Sequence, residues 1–480
     1  MQFAYAEHDH DLDQVEVRAP IIDSRILKHP ATVETYDRQQ IADSINAATV
    51  AQTLKYLPSI QVRERFIGDR NGIIATRTAG TLSSAQSMLF ADGVLLSNLL
   101  GNSFGYPPRW GLIMPEEVES ISMMYGPFSA LYAGNSFGGV MSLHTRMPEK
   151  LESHATVQTF MQDFSLYGTS EHYQGQHLTA SLGNKVNDFA FWLGVDYLEN
   201  KAQPMGFSTS TVSSTTSTAN PVTGAYQDKD VTNANRIVFG ANSMEDVKQT
   251  DVKLKASYDI SPTIKAAYTL GVWEMQSSTD VQSYIKDTNG MPVYNNKVSV
   301  NGKAYNVTGL NTGRADALHI MQALDIKSAS SGFFDWELTL SDFNYQKDNN
   351  ASSTASSSST TDLNAGNPYL SRSGTVTDMQ GTGWLAFEAR GTLHPANHTV
   401  DIGYHFDHYA LRSVVYNTTD WTVAGKDTLK SAAQGDTRTQ AVYVQDKWQL
   451  DAKWALTVGG RAEHWEASNG QNRPKINFSA

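Results

Sequence analysis

The sequence predicts two architectures in series: a compact α+β domain over roughly the first 147 residues, then an antiparallel transmembrane β-barrel wall. Three observations carry this. Up to Met147-Pro148 short apolar runs alternate with tight turns, whereas beyond it the chain adopts long period-two alternation. That alternation puts apolar side chains on one face and charged ones on the other, because successive strand residues point to opposite sides. The connections between these strands also alternate between a few residues and long polar loops.

Composition narrows the class. Of 480 residues 18% are charged, with 35 Gly, 21 Tyr and 9 Trp, a polar and aromatic-rich profile that suits a barrel with one wet and one greasy face. No run of ~18 apolar residues exists, so a membrane would be crossed by strands. The chain has no cysteine, which removes thiol redox chemistry, disulfide frameworks and cysteine-held metal centres. A formal charge of −12 argues against a nucleic-acid partner.

Taken in order, Ala4-Tyr5-Ala6 matches the small-x-small end of a secretory signal. Asp13-Gln14-Val15-Glu16-Val17 is a short β-prone segment that suits pairing with a partner's sheet edge. From Asp37 to Leu57, Ile41, Ile45, Ala48 and Leu54 recur at helical spacing; Asp37 is the cap and Pro58 the stop. Short strands follow at Ser59–Val62, Ile73–Gly80 and Met88–Val94, with a turn-rich Gly68-Asp69-Arg70-Asn71-Gly72 between the first two. From Val118 to Thr145 four glycines, a proline and four aromatics sit between apolar runs, the composition of a tightly turned wedge.

Beyond Met147 the alternation is plain in Phe189, Phe191, Leu193, Val195 and Tyr197, in Val252, Leu254, Ala256 and Tyr258, and in Val400, Ile402, Tyr404 and Phe406. Short turns at 184–188, 261–263 and 450–453 alternate with long loops at about 201–246, 282–313 and 351–375. A β-sandwich has no reason to keep that asymmetry, whereas an outer-membrane barrel does. The Ser/Thr-rich tracts near Ser208–Ser217 and Ser352–Thr361 read as mobile loop tips. About eleven strands fit between residue 154 and the end, with a twelfth beginning near Lys475.

Asp92-Gly93-Val94, and then Gly126-Pro127, Ser129-Ala130-Leu131-Tyr132, Gly134 and Gly138-Gly139-Val140, resemble the plug motifs of TonB-dependent outer-membrane receptors. Arg77 and Gly80 stand where that family has an arginine-glycine pair, with Thr78-Ala79 inserted. Ser122 and Tyr125 replace a glutamate and an arginine common there, so charged locks between plug and wall are expected to be fewer or differently placed. The resemblance implies residues 1–20 as a signal remnant and TonB-box-like segment, 21–147 as the plug, and 148–480 as about half of a 22-stranded barrel. It implies siderophore import, with a TonB-type periplasmic protein contacting Asp13 to Val17, a ferric siderophore or similar chelate as cargo, outer-membrane lipids around the wall, and no cofactor. Cobalamin, a saccharide and a passive porin-like channel are the alternatives.

Phe104, Tyr106, Arg109 and Trp110 form a proline-stiffened loop whose rings and guanidinium suit an anionic, aromatic ligand. The competing reading is that Tyr106 and Trp110 pack the plug against the wall. An enzyme reading rests on Gly101-Asn102-Ser103-Phe104-Gly105 and Gly134-Asn135-Ser136-Phe137-Gly138, both G-x-S-x-G. Neither has the strand-turn-helix context of a nucleophile elbow, so no catalytic residue is assigned. His405 and Asp407 read as lumen lining, not as a metal site.

Overall fold

The computed structural model describes residues 31–480 except 81, 104, 126–129, 331, 358–361, 469–476 and 480. The first unit is a five-stranded sheet of β1 (Val33–Asp37), β4 (Met88–Ala91), β5 (Val94–Leu95), β6 (Val118–Met124) and β7 (Val140–Thr145), in the order β1-β6-β7-β4-β5. A separate hairpin joins β2 (Ile60–Arg63) to β3 (Ile73–Thr76). Ile121, Met123, Met124, Val140, Met141 and Leu143 of the two central strands are essentially fully buried, and this apolar seam holds the sheet to the segment Ile41–Leu57.

Asp37 caps its helix: its Oδ1 accepts from the Gln40 backbone N–H at 2.8 Å and Gln40 Oε1 returns the bond to the Asp37 N–H at 3.0 Å. The continuous helical spacing expected to Leu57 is instead shared by two pieces, Arg38–Ser44 and one turn at Val50–Thr53. Ile45 is extended at the break, yet Ile41, Ala48, Val50, Ala51 and Leu54 all reach the core. Of the expected apolar face Ile41, Ala48 and Leu54 are buried while Ile45 is only half-buried, because a bend, not one rod, carries the segment. Asp92 and Gly93, at φ 50° and 86°, close the β4–β5 hairpin. Two successive positive φ values are what an Asp-Gly pair tolerates.

The second unit is one antiparallel sheet. Its strands run from β8 (Glu152–Leu166), β9 (Thr169–Val186) and β10 (Phe189–Lys201) through β11 (Gly206–Thr211), β12 (Tyr226–Lys229), β13 (Asn235–Ser261) and β14 (Ile264–Ser283). After a small hairpin of β15 (Lys297–Val300) and β16 (Lys303–Asn306) come β17 (Gly313–Ser328), β18 (Phe334–Ser353), β19 (Gly374–Asp378), β20 (Gly383–Leu393), β21 (His398–Thr418), β22 (Thr428–Gln449), β23 (Ala455–Ala467) and β24 (Asn477–Ser479). With β19 and β20 sharing one place between β18 and β21, eleven long wall strands precede β24.

Burial in this wall is inverted relative to a water-soluble sheet. Asp196, Asp251, Lys253 and Lys255 point inward and are buried, while Leu193, Val195, Val252 and Leu254 on the same strands are exposed on the outer face. A band of exposed apolar side chains around a charged interior is stable only against lipid. Tight turns gather at one end, for example 186–189 and 261–264, and the long loops at the other.

Those loops are more ordered than their composition suggests. Ser208 to Thr211 lie in β11 and pair with β13, the Ser208 hydroxyl donates to Thr308 O at 2.6 Å, and the Ser217 N–H donates to Gly302 O at 3.0 Å. Phe239, Val281, Ile285, Val298, Tyr305 and Leu310 form an apolar core beneath them. The tract Ser208–Ser217 is therefore a built part of a cap; low hydrophobicity hid its partners, which lie in β13 and at and beside the β15–β16 hairpin. In the second tract Ser352 and Ser353 end β18, and 358–361 lie outside the described residues.

Candidate functional site: the plug apex and its seat in the wall

Two loops of the first unit meet the wall toward its long-loop end. The loop after β2 is shaped by Asp69, whose carboxylate takes two bonds of 2.7 Å from the Arg65 guanidinium and one of 2.9 Å from the Asn71 N–H. Its Ile67 and Gly68 carbonyls then accept from the amides of Asn200 and Gln249 on the wall. The loop after β5 is pinned where the Arg109 N–H donates to Leu96 O at 2.9 Å. Trp110 is buried and its indole N–H donates to Gly72 O at 2.8 Å, tying the two loops together. Trp110 thus packs within the plug and at the same time lines the cleft beside Arg109.

Arg109 lies with its guanidinium 4.9 Å from the centre of the Tyr345 ring. Tyr345 stacks on His319 at 3.9 Å, and His319 meets Trp273 at 4.9 Å; further along, Phe343 stacks on Trp384 at 4.4 Å and Trp384 on Tyr409 at 5.6 Å. These inward rings, from β14, β17, β18, β20 and β21, make one aromatic row facing the apex. Arg70 reaches Asp348 at 3.4 Å, and the same carboxylate is 3.1 Å from His319 Nε2. Arg70, Arg109, Trp273, His319 and Phe343 line a cleft between the loops and the wall. Glu64, Asp69, Asp196 and Asp251 share that lining and Arg70 is held by Asp348, so Arg109, over the Tyr345 face, is the cation left to meet an anion that carries rings.

Tyr106 is half-buried against Gly101 in the same loop, and Phe104 lies outside the described residues. Asp13, Gln14, Val15, Glu16 and Val17, with Gly126, Pro127 and Ser129, also lie outside them. Arg77 and Gly80 are exposed on a turn closed by the Thr76 N–H on Ala79 O at 2.7 Å; the inserted Thr78-Ala79 makes that turn. Tyr132 packs on Phe90 at 6.0 Å, Gly134 stands in open space, and Gly138 donates to Gln86 O at 2.6 Å. Gly139, at φ 132°, occupies backbone that side chains rarely adopt and passes the chain into β7. Ser136 of the second G-x-S-x-G is buried, and its hydroxyl donates to Ala133 O at 2.7 Å, with β7 following rather than a helix.

The charge lock sits elsewhere than at Ser122 and Tyr125. Ser122 is buried with its hydroxyl 3.1 Å from that of Thr35, and the Tyr125 hydroxyl donates to Pro58 O; burial pushes Tyr125 up to about 12. Glu117, fully buried just before β6, takes Lys253 Nζ at 2.7 Å and Lys255 Nζ at 3.2 Å from the wall. Lys255 also donates to Thr145 Oγ1 at 2.7 Å and Arg146 O at 2.6 Å, and lies 4.9 Å over the Trp192 ring. The acidic Glu116-Glu117 pair and alternate lysines of β13 were visible in the sequence, but nothing in it joined them. Arg70 was likewise visible only as part of a turn.

Comparison with known proteins gives a consistent set. Residues 25–140 match the TonB-dependent receptor plug domain and residues 272–479 the TonB-dependent receptor-like β-barrel. The vitamin B12 transporter BtuB of Vibrio vulnificus (strain YJ016) is 26% identical over 133 residues, covering 28% of this chain and 20% of that protein. The unliganded ferric citrate transporter FecA superposes with TM-score 0.63 at 13% identity, covering 94% of this chain and 59% of that one. The ferripyoverdine receptor of the Pseudomonas aeruginosa outer membrane gives TM-score 0.59 at 9% identity over 94% and 54%. The copper transporter OprC gives TM-score 0.57 at 11% identity over 93% and 57%. At such identities the structures speak to fold alone, and the chain spans little more than half the length of each.

Proposed function

The chain belongs to the TonB-dependent receptor family of the outer membrane, and from that premise we propose that it is an active importer of a scarce anionic chelate, a ferric siderophore foremost. The family is one of receptors and transporters, not of enzymes. The observation that carries the cargo class is the placement of Arg109 over Tyr345, beside Arg70 and the aromatic row. The Arg109 guanidinium, whose Nε meets no hydrogen-bond partner, favours carboxylate or catecholate oxygens, and the rings favour planar groups.

In this reading cargo settles on the apex beneath the looped cap, and a TonB-type protein pairs with Asp13–Val17 and pulls. Main-chain pairing along an added strand resists load cooperatively. The load must break the Glu117 lock, since it joins plug and wall at a buried point. Growth under iron limitation on a panel of ferric chelates, with and without the protein, tests the reading. Rescue by one chelate class names the cargo; rescue by none, with uptake of cobalamin or a saccharide, transfers the function to that cargo.

A further inference from the structure

The import reading makes no use of the carboxylates gathered at the seam between plug and wall below the apex. Asp196 and Asp251 stand directly opposite each other on β10 and β13, both turned inward and only 5% and 9% exposed. Such cross-strand partners bring Cβ atoms to roughly 5 Å, where like charges destabilise each other. Asp196 has compensation: its Oδ2 is 2.7 Å from His177 Nε2, and His177 Nδ1 is 2.9 Å from Gln158 Oε1. Asp251 has less: its buried Oδ1 meets no donor, and Lys253 alone among the nearby charges offsets it.

The cations nearby are mostly engaged elsewhere: Arg109 lies over Tyr345 and Arg146 pairs with Glu152 at 3.1 Å, though each keeps a buried Nε without a partner. Lys253 and Lys255 are held by Glu117, Arg65 by Asp69, and Arg70 by Asp348. Trp273, the next residue across the sheet from Asp251, spends its N–H on Gln249 at 2.9 Å. From the plug side comes another carboxylate, Glu116, with both oxygens buried and without donors; burial, with Asp196 second, pushes it up to about 7. Glu64, further along the same cleft, is pushed up to about 7 chiefly by burial. Among the described residues no three acidic or histidine side chains are arranged to hold a metal ion, so a proton is the charge that fits.

We propose that Asp196 and Asp251 share one proton, and that this proton is part of the plug's seat. While it is held, one negative charge faces His177 and the seam stays closed. When it leaves to the water of the cleft, two aspartates repel each other and Glu116, and the Glu116–Glu117 end of β6 loosens from β10 and β13. The consequence is a plug held more firmly in acid than in alkaline surroundings, independent of cargo identity.

Hydrogen exchange of Val118–Met124 in outer-membrane vesicles, normalised at each pH to the unstructured chain, reads the seat directly. Between about pH 5 and about pH 9 protection should fall by about tenfold in the unaltered protein. Asp251→Asn, neutral and of the same shape, should hold high protection throughout, and infrared difference spectra should lose one protonated-carboxyl band. Glu116→Gln should keep the step but displace it to lower pH, because one carboxylate that repels the ionised pair is gone. An unchanged step in Asp251→Asn, loss of the step in Glu116→Gln alone, or a stoichiometric metal ion released by Asp251→Asn would each overturn the proposal.

Discussion

Glu117 and Lys253 form an ion pair 2.7 Å long in which neither side chain has more than 2% of its surface exposed, across 136 residues of sequence. A buried pair of this kind is poor evidence of net stabilisation, because desolvation offsets the Coulomb gain. Breaking one partner is a different matter. Glu117→Gln leaves Lys253 and Lys255 buried without their counter-ion, so plug docking should weaken by about 3–5 kcal/mol. Urea-induced release of the plug, followed by hydrogen exchange of Val118–Met124, checks this; an unchanged midpoint would show that the lysines find other partners.

Glu64 provides a pH dependence with a defined sign. Burial raises it from 4.5 to about 7 in the fold, against the hydrogen bonds of Thr49 and Gln52. A raised acid binds a proton more tightly in the native state, so its stability contribution is greatest below about pH 4.5 and is lost as pH rises to about 7. The change is on the order of 3 kcal/mol. Glu64→Gln should flatten that part of the pH profile of thermal unfolding while keeping the Thr49 and Gln52 contacts.

Arg109→Gln should reduce affinity for an anionic chelate by at least about tenfold, the loss of one charge-assisted contact. The fold should survive, since the Arg109 backbone bond to Leu96 is unaffected. Equilibrium binding of the labelled chelate to intact cells is the measurement, and unchanged affinity would place the cargo elsewhere.

Trp110→Phe removes the indole bond to Gly72 O but keeps most of the packing. It should cost about 1–2 kcal/mol and loosen the two apex loops together. Trp110→Ala should cost about 3–5 kcal/mol by opening a cavity in the plug core. Thermal unfolding of the two variants separates bond from packing.

Deleting residues 12–20 should leave chelate binding at the cell surface intact and abolish uptake. Retained uptake would favour the passive channel.

Much of this molecule is written locally. The alternation of Val252, Leu254, Ala256 and Tyr258 with Lys253, Lys255 and Ser257 tells which side chains face lipid, because a strand has a period of two whatever surrounds it. Asp92-Gly93 and the Asp37–Gln40 box are legible for the same reason: turn and cap chemistry are settled within a few residues. The Asp37–Leu57 segment shows the limit of that reading. Its spacing gives the buried face, but the break at Ile45 answers to the sheet it packs on.

What the tertiary structure alone decided is which inward group meets which. Glu117 with Lys253 and Lys255, Arg109 with Tyr345, and Asp196 with Asp251 join positions that no local period relates. A shift of one residue in the register of β10 on β13 would turn Asp196 away from Asp251 and out toward lipid, so these meetings depend on sheet register and on the seating of the plug. The sequence by itself determined the two units, their faces and their turns, because those follow from short-range sterics and hydrophobic periodicity. The lock, the apex cleft and the carboxyl pair follow from long-range packing, where partners are chosen by geometry.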